Sequence, residues 1–393
     1  MQVPNNPDDA VVSAGAARPL TTPAEAPATQ GPSPFQRPVV AVVATRPETV
    51  LDDIQRAMVL AGISRHLDPD AATLLKINIS WEHWYPACST SPWQLEGVVR
   101  ALRDLGHREL AGAHNGTVVV DSFEGEVNNK HKTVQERCGL PVVHLDSPPN
   151  RWVNYQPKAK MLVLHDIFPE GIQIPESFAG TNIVHLPTMK THVFTTMTGA
   201  MKNAFGGLLH RKRHWTHSVI HETLVDLLAI QKEIHPGIFA VMDGTFAGDG
   251  PGPRAMRWHI KDRILAGADQ VAIDAVAARM MGFDPLGIKF IRLAHERGLG
   301  CGDTSEIEVV GEDIDQVNWG FSGVENTFAS RGQKLIYWGP LKTLEKLLLR
   351  SPLAGWAFLA SNLYHNGYWL KTKGRGRIKA ALETEWGRLF QSY

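Results

Sequence analysis

Cysteine is scarce in this chain. Cys88, Cys138 and Cys301 are the three in 393 residues, far apart and without a C-x-x-C pair. That pattern offers no disulfide framework, and no iron–sulfur cluster or cysteine-held zinc is expected; the thiols read as small buried apolar groups in a reducing compartment. Long apolar runs are missing too, and none approaches the roughly 18 residues a membrane span needs. There is no excess of either charge: 40 Lys+Arg stand against 40 Asp+Glu. The molecule as a whole therefore exerts no long-range pull on nucleic acid, and no nucleic-acid partner is expected. Large apolar side chains are nearly absent from residues 1–36, which are rich in Pro, Ala and Thr. Such a stretch cannot offset its chain entropy by burial, so a disordered leader is expected there. It lacks the basic start and apolar stretch of a signal peptide, and Asp8, Asp9 and Glu25 speak against a transit peptide, which points to the cytoplasm.

From Pro38 onward the composition is globular, with 43% apolar and 20% charged residues over the whole chain. Val39–Val43 and Leu74–Ile79 are short and rich in branched aliphatics, as buried strands are. Helical spacing runs from Thr49 to Leu60. Ser91 followed by Pro92 and Gln94 forms an S-x-x-Q capping box, and Leu95, Val98, Val99, Leu102 and Leu105 then share one helix face. Further apolar runs lie at Thr117–Val120, Pro141–Leu145, Met161–Leu164, Asn182–Leu186, Phe239–Met242 and Ile307–Val310. Helices are expected near Val219–Ile234 and Val271–Met281, the latter capped by Asp269. This alternation predicts an α/β fold: a mainly parallel sheet flanked by helices, in one large or two intimately packed lobes over residues 37–334. Residues 335–393, with Trp338, Trp356, Tyr364, Tyr368, Trp369 and Trp386 and a basic run from Lys371 to Arg377, predict an apolar, aromatic helical extension. It either packs on its own domain or makes peripheral contact with a membrane.

The polar residues cluster after predicted strands, where α/β sheets bind ligands. His185–His217 reads HLPTMKTHVFTTMTGAMKNAFGGLLHRKRHWTH. It holds Lys190, His192, Lys202, Asn203, His210, His214 and His217, amines and imidazoles that would be costly core filler. Gly199, Gly206 and Gly207 would let backbone approach a ligand. A second cluster follows Phe239–Met242, where Asp243 and Asp249 stand on an expected Gly/Pro loop and would hold a hard cation such as Mg²⁺. Upstream, Lys76 and Asn78 interrupt an otherwise apolar strand, which suggests an anion bound at the sheet edge. His114 and Asn115 follow Leu110 in another loop.

Read in order, KINI, TSPWQLEGVVRAL, VHLPTMKTH, TGAMKNAFGG, DG with GDGPGP, ADQVAIDAVAARMMGFDP, GLG and IEVVGE resemble the domain-of-unknown-function 362 family from about Lys76 to Glu312. Some members of that family carry a ferredoxin-like module whose cysteines this chain lacks. A more distant similarity is to the N-terminal domain of nickel-pincer lactate racemases, whose H…GGAK…PG…NH stretch is matched by His192, Lys202 ten residues on, and His217. That resemblance implies His192 as a proton-transfer base, Lys202 as the covalent anchor of the pincer nucleotide and His217 as a nickel ligand. His114 would be the other base.

Together these features predict an enzyme of isomerase, epimerase or lyase type acting on a small anionic organic substrate. His114 and His192 would move protons, and Lys76, Asn78, Lys190, Lys202 and Asn203 would hold the anion. A divalent metal, Mg or Ni, would sit on Asp243 and Asp249 or on His217. Two alternatives use the same residues: Mg-dependent transfer or cyclisation on a lipophilic diphosphate in specialised metabolism, and a non-catalytic cofactor-binding protein.

Overall fold

The structure, a computed structural model, describes residues 37–116, 120–344, 359 and 362–393. The leader expected over residues 1–36 lies outside them, as does all but Val120 of the run Thr117–Val120.

Twelve strands are present among the described residues: β1 (Val39–Ala44), β2 (Thr73–Ile77), β3 (Leu110–His114), β4 (Val142–His144), β5 (Trp152–Tyr155), β6 (Ile172–Pro175), β7 (Asn182–Leu186), β8 (Thr188–His192), β9 (Thr196–Met197), β10 (Ile238–Asp249), β11 (Arg257–Gly267) and β12 (Glu308–Gly311). The main sheet runs β12-β1-β11-β10-β7-β2-β3-β4, with β8 and β9 attached beside β10. From β10 through β7, β2 and β3 to β4 every pairing is parallel. Only β11, antiparallel to both β10 and β1, and the small β9 depart from that direction. The expected mainly parallel α/β sheet is therefore the observed one. β5 and β6 form a separate antiparallel pair.

The alternation of side chains along each strand divides the core into two layers. Ala41, Val43, Leu75, Ile77 and Val184 face the helices Val50–Leu60 and Pro92–Asp104. Val40, Val42, Leu74 and Ile183 face Ile220–Ile234 and Gln270–Met281. Both layers sit on one continuous sheet, which is why the parallel strands read as unbroken apolar runs. The capping box at Ser91 is formed in both directions, and Asp269 caps its helix by accepting from Val271 and Ala272.

Three expectations need correction. Met161–Leu164 is not a strand: the amides of Leu162, Val163 and Leu164 all donate to the buried carboxylate of Asp226, which turns the chain into the short helix Leu164–Ile167. The Asp243–Asp249 segment is not a loop but the far half of β10, because it pairs residue by residue with β11 through Arg257. His114 is not in a loop: it is the last residue of β3.

The C-terminal helices Leu363–Gly374, Arg375–Leu382 and Glu385–Ser392 pack on the body. Trp369 meets Trp81 at 6.0 Å, Phe390 stacks on Trp84 at 4.2 Å, and Trp386 lies 5.1 Å from Trp93 while donating to Asp262 at 2.7 Å. Among the described residues no helix is long and apolar enough to cross a membrane.

Candidate anion site

Beyond the carboxyl ends of β2, β3, β7 and β8 lies a cavity of ≈ 290 Å³. Its position follows from the sheet: parallel strands deliver their last residues, and the loops after them, to one edge. Lys76 comes from β2, Asn78 and Ser80 from the turn after it, Asn115 from the end of β3, and Lys190 and His192 from β8. The segment after β9 adds Lys202, Asn203, Arg213 and His217, and the turn after β10 adds Arg254. No Asp or Glu is among the described residues that line it.

The lysines are held in three different ways. Lys190 donates from Nζ to the Cys88 carbonyl at 2.6 Å and to Thr188 Oγ1 at 2.8 Å. Lys76 donates to the Ile77 carbonyl at 2.6 Å. Lys202 Nζ makes no hydrogen bond among the described residues and lies 5.5 Å from the centre of the Phe205 ring. Burial away from counter-ions disfavours the ammonium form. It brings Lys76 down to about 7, with the Arg213 charge adding to the effect. It brings Lys202 to about 7, helped by Lys190 and Arg213, and Lys190 to about 8. These amines exchange protons near neutral pH, and an incoming anion would restore their charge.

Of the histidines that line the cavity, His192 and His217 are fixed in opposite tautomers. The Phe194 amide can only donate, and it points at His192 Nδ1 from 3.2 Å. A neutral His192 therefore carries its hydrogen on Nε2. At His217 the partner is a carbonyl: Nδ1 lies 2.9 Å from the His214 oxygen and must donate, which leaves Nε2 with a free lone pair. Burial and the surrounding cations hold His192 well below the usual imidazole range. Burial brings His217 to about 4 despite its hydrogen bond to His214. Both rings are neutral at pH 7, one a donor toward the cavity and one an acceptor.

Gly199 and Gly206 line the cavity, and two of the three glycines also make room for protein side chains. A Cβ on Gly207 would meet Lys76 Cε at 2.5 Å, so Gly207 makes room for the Lys76 side chain. A Cβ on Gly199 would come within 2.0 Å of Asp274 Oδ1. That carboxylate accepts from the amides of Ala200 at 2.6 Å and Met201 at 3.1 Å, and so starts the turn that carries Lys202. Asn203 donates to the Lys76 carbonyl at 2.8 Å, and Asn78 is tied to Cys88 and Ser80. Both asparagines position the wall while lining it.

His192, Lys202, His217, Lys76, Asn78, Lys190 and Asn203 thus meet in one cavity. His114, Asp243 and Asp249 do not join them. His114 is not a free base: its Nε2 lies 2.5 Å from Glu126 Oε1, away from the cavity lining. Burial lowers its pKa against the pull of Glu126. Asp243 accepts from Ser91 Oγ, from Trp93 Nε1 at 3.1 Å and from the Thr245 amide at 2.7 Å. Asp249 accepts from Arg257 and from the Ser322 amide, both at 2.7 Å. With six steps of strand between them, roughly 20 Å at the usual rise, the two carboxylates cannot share a cation. The diphosphate reading loses its metal ligands with them. Arg254, Glu126 and His144 were not singled out from sequence. Arg254 directly follows the GDGPGP run, and only the fold turns it inward to the Ser80 carbonyl at 3.0 Å.

This α/β sheet gathers lysines and arginines over the ends of its parallel strands, the place where such sheets bind ligands. The model of the family described as domain of unknown function (DUF362) matches residues 73–279. That is more than half of the chain and includes every lysine and histidine of the cavity wall up to Arg254, and the protein belongs to this family. It is 24% identical over 249 residues to the thylakoid-associated protein sll1697 of Synechocystis sp. (strain PCC 6803), an alignment covering 61% of this chain and 72% of that one. No solved structure matches the chain.

Proposed function

We propose that this protein is an enzyme that binds a small organic anion and moves a proton on the carbon beside its carbonyl or carboxylate group, in the manner of an isomerase, epimerase or lyase. The observation that carries this reading is the cavity wall of Lys76, Lys190, Lys202, Arg213 and Arg254 without a carboxylate among its described residues. Fixed cations in a site shielded from water stabilise negative charge as it develops on a substrate oxygen. His217 Nε2, with its free lone pair, takes the proton; His192 Nε2–H donates to the oxygen, as a neutral imidazole can. The tautomers thus move the base from His192, where the racemase resemblance put it, to His217. Lys202 Nζ and His217 Nε2 are also the two free groups that a nickel-pincer nucleotide would use, so these residues fit that cofactor; with it bound, His217 would hold the metal and could not also serve as the base. When bound it would supply an electron-accepting centre beside the same substrate.

The test is proton exchange in D₂O, followed by ¹H NMR on small 2-oxo and 2-hydroxy acids. The wild type exchanges the hydrogen beside the carboxylate of at least one of them. His217→Gln slows exchange by about 10²–10⁴-fold while still binding sulfate, and Lys202→Met loses both. No exchange on any acid, with a ligand retained through purification in native mass spectra, would replace the enzyme by a non-catalytic cofactor-binding protein.

Exposed apolar side chains at Leu335, Trp338, Leu341, Leu359, Leu363 and Tyr368 support a second, separate element of the proposal, peripheral contact of a cytoplasmic protein with a membrane surface. The name of the cyanobacterial relative is consistent with it. Sedimentation with vesicles should fall at least several-fold in Trp338→Ser/Leu341→Ser, and equal sedimentation of both proteins would remove this element.

A further inference from the structure

The strand edge next to the cavity holds a second group of polar side chains that the anion site does not use. His114 ends β3, His144 ends β4, and Glu126 comes from the helix Ser122–Asn128. Glu126 Oε1 lies 2.5 Å from His114 Nε2 and 3.2 Å from His144 Nε2, and the three atoms all fall within 4.8 Å of one another. We propose that His114, Glu126 and His144 form a binding site for a divalent cation of the zinc class.

The donors are of the right kind. Two imidazoles and one carboxylate are a known ligand set of zinc sites that keep a position open. Tetrahedral bonds of about 2.1 Å place ligand atoms about 3.4 Å apart. The separations of 2.5 and 3.2 Å need only a small opening to reach that value. Magnesium is a poor fit, since it prefers an octahedron of oxygens. The site is walled on one side and open on the other: His114 is 1% exposed and His144 27%. Water can take the remaining position.

Two further observations separate this group from a plain hydrogen-bonded trio. His114 Nδ1 is buried without a hydrogen-bond partner, so the Glu126 carboxylate alone holds the ring, with the hydrogen on Nε2. A cation at Nε2 displaces that single bond. The outer partner is also in place: Gln135 Nε2 donates to the same Glu126 oxygen at 3.2 Å, holding the carboxylate as groups behind metal ligands do. A bound cation would tie the ends of β3 and β4 to the helix between them. Asn115, the next residue after His114, lines the anion cavity, so the cation would stiffen that wall without touching the bound anion.

The experiment is titration of chelator-treated full-length protein with Zn²⁺ by calorimetry, with Mg²⁺ alongside, and with Co²⁺ read by its visible absorption. One zinc binds per chain, Mg²⁺ does not compete, and Co²⁺ gives the intense bands of a tetrahedral centre. His144→Ala weakens zinc binding at least tenfold and abolishes those bands. Glu126→Gln, which keeps the size and contacts of the side chain, does the same. His217→Gln binds zinc as the wild type does, which places the ion outside the anion cavity. Zinc binding equal in wild type, His144→Ala and Glu126→Gln, no binding at all, or loss confined to His217→Gln would each overturn the proposal.

Discussion

Sulfate should bind this protein about 100-fold more tightly at pH 6 than at pH 9. Sulfate stays doubly charged over that range, so the change belongs to the protein. Lys202 and Lys76 each have an ammonium lowered to about 7 by burial. At pH 9 roughly 1% of such a group is charged, and at pH 6 about 90%. If one charged lysine must meet the anion, affinity follows that fraction. Stability without ligand runs the other way. A lysine whose pKa falls from 10.5 in the unfolded chain to about 7 in the folded one binds fewer protons folded than unfolded between those values. Unfolding free energy from this source therefore rises with pH across that window and is lost as pH falls through it. Calorimetry and thermal melts at pH 6, 7.5 and 9, with ionic strength held by chloride, measure both. The wild type gains most from sulfate at pH 6, and Lys202→Met shows weak binding with a flattened profile. A sulfate affinity independent of pH would mean that the cavity amines are charged throughout, and the anion site as described would fall.

The sequence made the sheet legible because its strands are short, aliphatic and separated by helices with readable caps. Ser91, Pro92 and Gln94 announced a helix that the structure forms as expected. The cavity was half legible. Lysines and histidines after an apolar strand are too costly to bury idly, and Lys190, His192, Lys202 and His217 do converge. What the sequence hid was long-range pairing. Asp243 and Asp249 look like a loop because Gly and Pro surround them, yet the register with β11 makes them strand residues. Their carboxylates are satisfied by Ser91, Trp93, Arg257 and Ser322, all distant along the chain except Arg257. Glu126 carried no local signal, since an acidic residue inside a polar helix is ordinary until two histidines from neighbouring strands arrive beside it. Gly199 and Gly207 also make room for protein side chains, and only the folded structure shows which ones.

Asp274→Ala should destabilise the protein by about 3–5 kcal/mol at pH 5, more than an ordinary polar deletion. The side chain is 0% exposed and accepts the amides of Ala200 and Met201. Its removal leaves two buried donors unpaired, at about 1–3 kcal/mol each, beside a small void. Burial raises the Asp274 carboxyl from 3.8 to about 7, the two amides opposing. The folded protein therefore holds a proton there that the unfolded chain releases between those values. The stability tied to Asp274 is full below about pH 4 and is lost as pH rises through 7. The penalty for Asp274→Ala, measured by urea unfolding, should thus shrink from pH 5 to pH 8. Asp274→Asn keeps one acceptor oxygen and should cost less than half as much at pH 5. Gly199→Ala reaches the same outcome from the other side, because its Cβ would occupy the space of the carboxylate. Both damaging variants should also weaken sulfate binding, since the turn they disturb sets the position of Lys202. If Asp274→Ala were as stable as wild type at pH 5 and bound sulfate normally, that turn would be held by other contacts. Lys202 would then owe its place to the packing of Phe205 and Leu208 rather than to the buried acid.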